Sequence, residues 1–250
     1  MRSVLILGGY GNFGQRIAKA LANDSIPIII AGRSYEKASA LAKNLQEIYP
    51  QASINFSNFD ANKNLDQYLE KINPTVVINT IGPFQNSDYR IAETSMKLGV
   101  NYIDLADGRD FVTNFNTLDE EAKKANVSLI TGASSVPTLS ACVIDHYKKQ
   151  FSKIELLKYG ISPGQKAQRG LATTQAILSY IGKPLKMSTA MHKKRYGWQD
   201  IYRQEYPELG KRWMANCDIP DLDLFPSKYN IQSIQFSACL LYTSPSPRDA

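Results

Sequence analysis

A doubly wound, mostly parallel α/β sheet is the architecture this sequence predicts, on three observations. Apolar runs of strand length alternate with helix-spaced segments through residues 1–131. The first run, Val4-Leu5-Ile6-Leu7, enters a glycine turn, Gly8-Gly9-Tyr10-Gly11-Asn12-Phe13-Gly14, that opens a helical pattern. Gly and Pro bound the later runs, as Pro74 and Gly82-Pro83 do around Thr75 to Ile81.

The turn has the G-x-G-x-x-G spacing of a dinucleotide-binding unit, and each glycine has a physical task. Gly9 permits the tight turn, Gly11 lets backbone amides approach a pyrophosphate, and Gly14 lets the helix pack closely on the strand. Phe13, Ile17 and Leu21 recur at helical spacing behind it. A diphosphate would sit on that helix N-terminus, where unpaired N–H groups and the dipole favour negative charge. The expected cofactor contacts here are Gly9, Tyr10, Gly11, Asn12, Phe13 and Gly14.

The second strand, Ile26 to Gly32, ends at Arg33-Ser34. This lies about 20 residues past the glycines, where an NAD-binding unit places an acidic residue on the ribose diol. A guanidinium and a hydroxyl instead suit a 2′-phosphate, so the expected cofactor is NADP(H). The alternative is a solvated Arg33 and a Ser34 that only caps the next helix, whose face is Ala38, Leu41, Ala42, Leu45 and Ile48. Ser34 could do both.

Four further steps follow. Ser53 to Phe59 reads as a strand ending at Asp60, and Leu65, Tyr68, Leu69 and Ile72 as a short helix. Thr75 to Ile81 is a β-branched run; a helix spans Asp88 to Leu98, with Ser87 and Gly99 as end signals. Asn101 to Leu105 is a strand, Phe111, Phe115, Leu118, Ala122 and Ala125 mark one helical face, and Val127 to Thr131 is the last strand. Ligands in such sheets bind at the carboxyl ends of the strands. Asp60, Gly82 and Pro83 therefore join the expected cofactor contacts, and Phe84, Ser134 and Ser135 the substrate contacts. Pro137 reads as the first residue of a helix with face Leu139, Val143 and Tyr147, so Ser134 and Ser135 could hold a carboxylate, or Ser135 could only cap. Tyr102, Asp104 and Asp107 are the nearest titratable residues for proton transfer, although Asp104 could equally hold its loop from a buried position.

The opening GGYGNFG, Asn79 to Phe84, Gly99 to Leu105, Gly132 to Pro137 and Asp218-Ile219-Pro220-Asp221-Leu222 together resemble the saccharopine dehydrogenase-like oxidoreductases, in their short bacterial branch. The resemblance runs from about Arg2 to Ala238 and implies an NADP-binding Rossmann domain, residues 1–135, followed by an α+β domain, 136–238, that supplies a substrate pocket and a homodimer contact. The resemblance carries no substrate over; the expected reaction is hydride transfer to or from an unidentified small or lipid-like carbonyl, imine or enoyl compound. The alternative is a non-catalytic NADP(H)-binding redox sensor or partner subunit; a third is an epimerase or lyase using the cofactor transiently. None of the tyrosines has a lysine four residues on, as short-chain reductases require, and no Walker lysine follows the glycines.

In the second half, Ile154 to Ile161 and Ile231 to Phe236 read as strands and Leu171 to Ile181 as a helix, with a polar, aromatic and basic stretch between. His192-Lys193-Lys194-Arg195 is the densest positive run; with no second cluster beside it, a solvated loop is favoured over a nucleic-acid surface. At 43% hydrophobic and 21% charged, the chain can bury a core, and its net charge of +6 suits a phosphate-rich cofactor. No run approaches a membrane span, and Met1-Arg2 leads into a strand, not a signal peptide, so the expected location is cytoplasmic. Cys239 to Asp249 back-translates into the adapter of transposase-based sequencing libraries, which makes residues 239–250 a non-native tail and the second domain incomplete. Without that tail, Cys142 and Cys217 offer no disulfide framework, and no metal site is expected. Sequencing across the junction should find the genomic reading frame departing from this one near residue 239; a continuous frame through Asp249 overturns the adapter reading.

Overall fold

The computed structural model describes residues 3–164, 170–191, 193–208 and 210–239. They form two compact units, the first comprising the chain to Ala106 with Asn114–Ala133, the second Asp107–Thr113 with the chain from Ser134 onward.

The first unit runs β1 (Val4–Leu7), α1 (Gly14–Asn23), β2 (Ile28–Gly32), α2 (Tyr35–Ile48), β3 (Ile54–Asn58), α3 (Leu65–Ile72), β4 (Val76–Asn79), α4 (Arg90–Lys97) and β5 (Asn101–Asp104). After α5 (Arg109–Thr113), which belongs to the second unit, it resumes with a 3₁₀ turn at Phe115–Leu118, α6 (Asp119–Ala125) and β6 (Leu129–Ile130). The sheet order is β3-β2-β1-β4-β5-β6, parallel throughout, with Leu7 level with Ala31 on one side and Asn79 on the other. This is the doubly wound Rossmann order, and its direction reverses between β1 and β4. The β1 and β2 residues Ile6, Ile28 and Ile30 are buried against Ala18 and Ala22 of α1 and Ala38, Ala42 and Leu45 of α2. Alanines at four-residue spacing let both helices lie close to the strands.

The helical face read through Phe111 to Ala125 is broken, and α5 leaves the unit. The cause is Arg109, 4% exposed. Its Nε and Nη2 donate to the two oxygens of Asp223 at 2.8 and 2.6 Å, and its Nη1 donates to Asp218 Oδ1 at 2.9 Å and to the Lys186 carbonyl at 2.8 Å. Burial opposes the guanidinium charge, but Asp223 and Asp218 outweigh it and hold its pKa above the usual arginine value.

The rest of the second unit contains α7 (Ser140–Tyr147), β7 (Leu156–Ile161), α8 (Leu171–Ser179), β8 (Tyr202–Tyr206), β9 (Gly210–Asn216), α9 (Asp221–Tyr229) and β10 (Ser233–Cys239). Its sheet order is β7-β10-β9-β8, with β7 and β10 parallel and the other pairs antiparallel. Ile144, Leu222, Phe225, Ile234 and Phe236 form the core. The expected strands and helix of this half are present. The β8–β9 pair and α9 were not anticipated.

Three expectations change. The regular helix begins at Ser140, not Pro137, after an irregular turn over Ser135–Leu139 in which Val136 is extended. Leu139, Val143 and Tyr147 are exposed and the inward face carries Ile144, because Ser140 Oγ donates to the buried Asp221 at 2.5 Å; the Tyr159 hydroxyl donates to the same carboxyl. Arg195 is not a solvated loop cation: it donates to Asn216 Oδ1 at 3.1 Å and Gln235 Oε1 at 3.3 Å. His192 of the same run lies outside the described residues, as do residues 240–250. Cys239 closes β10 opposite Met214.

Removing the Arg109 side chain leaves two carboxylates facing each other with their shared cation gone. Arg109→Ala should therefore destabilise the chain by about 3–5 kcal/mol in denaturant unfolding. Arg109→Lys should recover only part of this, since an ammonium cannot bond both oxygens of Asp223 in a fork.

Candidate dinucleotide site

The glycine turn sits at the carboxyl end of β1, beside the point where the sheet reverses. Gly8 has φ +71°. A Cβ on Gly14 would lie 2.4 Å from the Gly8 carbonyl oxygen, and one on Gly9 would lie 2.9 Å from both the Ile6 carbonyl oxygen and Ile30 Cγ2. The turn is pinned on both sides. Gly9 N–H donates to the Ala31 carbonyl at 3.0 Å, and Thr80 Oγ1 donates to the Leu7 carbonyl at 2.8 Å. Phe13 stands at the N-cap of α1 with no side-chain capping bond, and Gly11 is exposed above the turn. A helix N-terminus without a side-chain cap, reached across a surface with no Cβ at Gly11, fits an anion held by backbone amides. Asn12 is half-buried.

At the end of β2 the Arg33 side chain is exposed. Ser34 caps α2, its Oγ accepting from Lys37 N–H at 3.2 Å and donating to Glu36 Oε2 at 2.8 Å. A hydroxyl has one hydrogen, so a phosphate could receive it only in competition with Glu36. The backbone hydrogen bond at Glu36 and the Ser34 hydroxyl hold the Glu36 carboxyl below its usual range. Of the two roles weighed for Ser34, the cap is formed, and its hydroxyl hydrogen is held by Glu36. Ser34 N–H is engaged too, donating to the Tyr10 hydroxyl at 2.9 Å.

The remaining positions divide by unit. Asp60, after β3, is half-buried and its Oδ1 accepts from Asn62 N–H at 3.0 Å. Gly82 is half-buried and Pro83 exposed after β4, where the Pro83 carbonyl accepts from Ser87 Oγ at 2.9 Å. Phe84 is buried, which removes its ring from the surface expected to meet substrate. Asp104 is 0% exposed, and its Oδ1 accepts from Ala106 N–H, Thr131 Oγ1 and Gly132 N–H, all at 2.9 Å. It is a clamp between the end of β5 and the loop after β6. Tyr102 is equally buried; its hydroxyl accepts from Asn79 Nδ2 at 3.1 Å. Burial, with the Asp104 carboxyl beside it, pushes the Tyr102 phenol up, and burial raises Asp104. For Asp104 this is the buried, loop-holding role weighed from sequence beside proton transfer, and Tyr102 is buried next to it. Asp107 is exposed and, with Ser134 and Ser135, belongs to the second unit. Neither serine caps a regular helix: Ser134 makes no side-chain capping bond, and Ser135 lies within the irregular turn before α7.

Asn79 and Thr80 were read only as part of a motif. Both tie β4 to its neighbours: Asn79 Oδ1 accepts from Ile81 N–H at 3.0 Å while its Nδ2 reaches Tyr102. A polar pair ending an apolar strand at a reversal point was the available signal. Among the described residues no group of His, Cys, Asp and Glu is arranged to hold a metal ion, and no helix is long and apolar enough to cross a membrane.

Residues 4–131 match the family model described as the saccharopine dehydrogenase NADP binding domain. No curated protein matches the chain. Similar solved structures include an alcohol dehydrogenase from the archaeon Thermococcus sibiricus complexed with 5-hydroxy-NADP, at 14% identity over 52% of this chain and 74% of that one, with a TM-score of 0.40. A short-chain dehydrogenase from Sphingobium yanoikuyae in complex with NADPH is 14% identical over 52% of this chain and 70% of that one, TM-score 0.38. The citronellol catabolism dehydrogenase of Pseudomonas aeruginosa is 18% identical over 57% and 86%, TM-score 0.42.

The clamp on the β5 loop gives a pH signature. Asp104→Ala strands two buried N–H groups and should destabilise by about 3 kcal/mol in denaturant unfolding, whereas Asp104→Asn keeps an acceptor at Oδ1 and should lose less. Because burial raises the folded-state pKa of Asp104 above its unfolded value, its contribution to stability is full below about pH 4, where it is protonated in both states, and is lost as pH rises through the folded pKa. The stability of the native chain relative to Asp104→Asn should fall over that rise and then level off.

Proposed function

We propose, from the premise that this chain belongs to the saccharopine dehydrogenase NADP-binding domain family, that it is an NADP(H)-dependent oxidoreductase acting on a small or lipid-like carbonyl, imine or enoyl substrate. The observation that carries the reading is the pair of anion positions in the first unit. One is the α1 N-terminus without a side-chain cap behind Gly9, Gly11 and Gly14; the other is the Arg33 guanidinium at the end of β2, where a diol-binding unit would carry a carboxylate.

The bound nicotinamide supplies or receives the hydride. The chain's own residues do the rest. Backbone amides at the start of α1 hold the diphosphate, Arg33 holds the 2′-phosphate, and Asp60, Gly82 and Pro83 line the cofactor at the ends of β3 and β4. Asp104 keeps the loops after β5 and β6 in place through its three accepted hydrogen bonds, which makes it a positioning residue. Of the three titratable candidates, Asp107 has the exposure that proton exchange with a substrate needs. The second unit would supply the substrate pocket, with Ser134 and Ser135 as substrate contacts, and a homodimer contact, in a cytoplasmic protein. The commitment of Asp104 and Tyr102 to buried structural bonds favours, as a second reading, a non-catalytic NADP(H)-binding sensor or partner subunit.

Titration of the purified chain with NADPH and NADH, followed by nicotinamide fluorescence, tests the cofactor assignment. Binding should favour NADPH, and Arg33→Ala should weaken NADPH by about 1.5–3 kcal/mol with NADH little changed. Equal weakening of both removes Arg33 from the phosphate role. Turnover then separates the readings: NADPH oxidation over a carbonyl, imine and enoyl panel marks the enzyme, and tight binding with no turnover the sensor.

A further inference from the structure

Tyr10 lies in the glycine turn, yet its side chain serves the other half of the site. Its hydroxyl accepts the Ser34 N–H at 2.9 Å, and its ring lies across Gly32 so closely that a Cβ there would stand 2.4 Å from Cε1, 2.7 Å from Cζ and 2.9 Å from the hydroxyl. Gly32 is the last residue of β2, its carbonyl is held by Phe59 N–H at 3.1 Å, and Arg33 lies between the two residues that Tyr10 touches. The backbone of Tyr10 is equally fixed: Gly9 N–H is bonded to the Ala31 carbonyl and Gly11 N–H to that of Gly8, at 3.0 and 2.8 Å.

We infer that Tyr10 is a strut that fixes the Gly32–Ser34 loop at a set distance from the glycine turn, and that this strut, through its hydroxyl, sets the preference for NADPH over NADH. The inference rests on the proposed placement of the 2′-phosphate at Arg33. NADPH and NADH share the diphosphate and differ in the 2′-phosphate, so a group that orders the Arg33 loop without altering the glycine turn acts on one cofactor alone. An Arg33 carried on a fixed loop loses less conformational freedom on binding than one carried on a loose loop. Tyr10 meets the Ser34 N–H itself, so that amide is not offered to the ligand and the phosphate relies on the guanidinium. Gly32 is needed because the ring occupies the space a side chain would take.

Tyr10→Phe keeps the ring and the turn and deletes the hydroxyl. The NADPH dissociation constant should rise about five-fold and that of NADH should stay the same, so that the preference ratio falls by that factor. Gly32→Ala should lower the ratio in the same direction by displacing the ring. Added to Tyr10→Ala, Gly32→Ala should have no further effect on the ratio. A role confined to folding would lower the melting temperature and leave the ratio unmoved, which overturns the strut. So does an equal loss for both cofactors, or tighter NADPH binding because the freed Ser34 N–H now reaches the phosphate. Arg33→Ala run in parallel separates the failures. If it leaves the ratio unchanged, the placement of the 2′-phosphate falls and the strut with it; if it lowers the ratio and Tyr10→Phe does not, the strut alone falls.

Discussion

The start of α1 approaches the turn before it so closely that Gly14 admits no Cβ: one would lie 2.4 Å from the Gly8 oxygen and 2.7 Å from the Gly9 Cα. Everything in the first unit is arranged around that contact. It sets the helix N-terminus directly on the carboxyl end of β1, and Ala18 and Ala22, one and two turns on, carry the same closeness down the sheet. The turn then becomes a junction. Thr80 binds it to β4, Gly9 binds it to β2, and Tyr10 carries it on to Ser34. Three strand ends are registered on one helix start, at the place where the sheet order reverses, which is where such sheets bind ligands.

Elsewhere the fold uses buried charge to bind segments distant in sequence, and this shapes what chemistry remains. Asp104 spends one oxygen on three donors around the β6 loop, and Arg109 bonds both oxygens of Asp223 and one of Asp218. Asp221 accepts from Ser140 and Tyr159. Each group looks functional in a list of titratable residues, and each has its bonds committed to holding a loop or helix. A fully buried carboxyl held by several fixed donors is poorly placed to trade a proton with a substrate, because no substrate atom reaches it without displacing the segment it supports.

The legible part of the chain is the part governed by local periodicity. All six strands of the first sheet and the α1 and α2 faces follow from apolar spacing within ten or so residues. The misreadings come from long-range partners. The break between α5 and α6 is set by bonds spanning 109 and 114 positions, and the rotation of α7 by one spanning 81. The β8–β9 pair escaped for another reason: Tyr202–Tyr206 carries three consecutive polar residues between two tyrosines and no aliphatic one, and its pairing places Arg203 over the Trp213 ring at 4.4 Å. Such a pair is favourable only once the strands are already opposed. In the site, the glycines and Arg33 were readable as types at a spacing. The Tyr10–Ser34 bond joins two motifs 24 positions apart that were read separately.

That bond also bears on how the proposed cofactor preference would arise. Read from sequence, Arg33 and Ser34 form a two-residue phosphate grip. In the fold, Ser34 has one hydroxyl hydrogen, given to Glu36, and one amide hydrogen, given to Tyr10. Taking the first for a ligand would also set a phosphate beside the ionised Glu36 carboxylate, and like charges at that range repel. On the proposed placement of the 2′-phosphate, Ser34 then serves rigidity and recognition falls to the neighbouring guanidinium. An arginine suits this division, because its planar fork can engage two phosphate oxygens by itself provided its backbone is held still. On that proposal, selectivity depends on how firmly one loop is fixed as much as on which charge it carries.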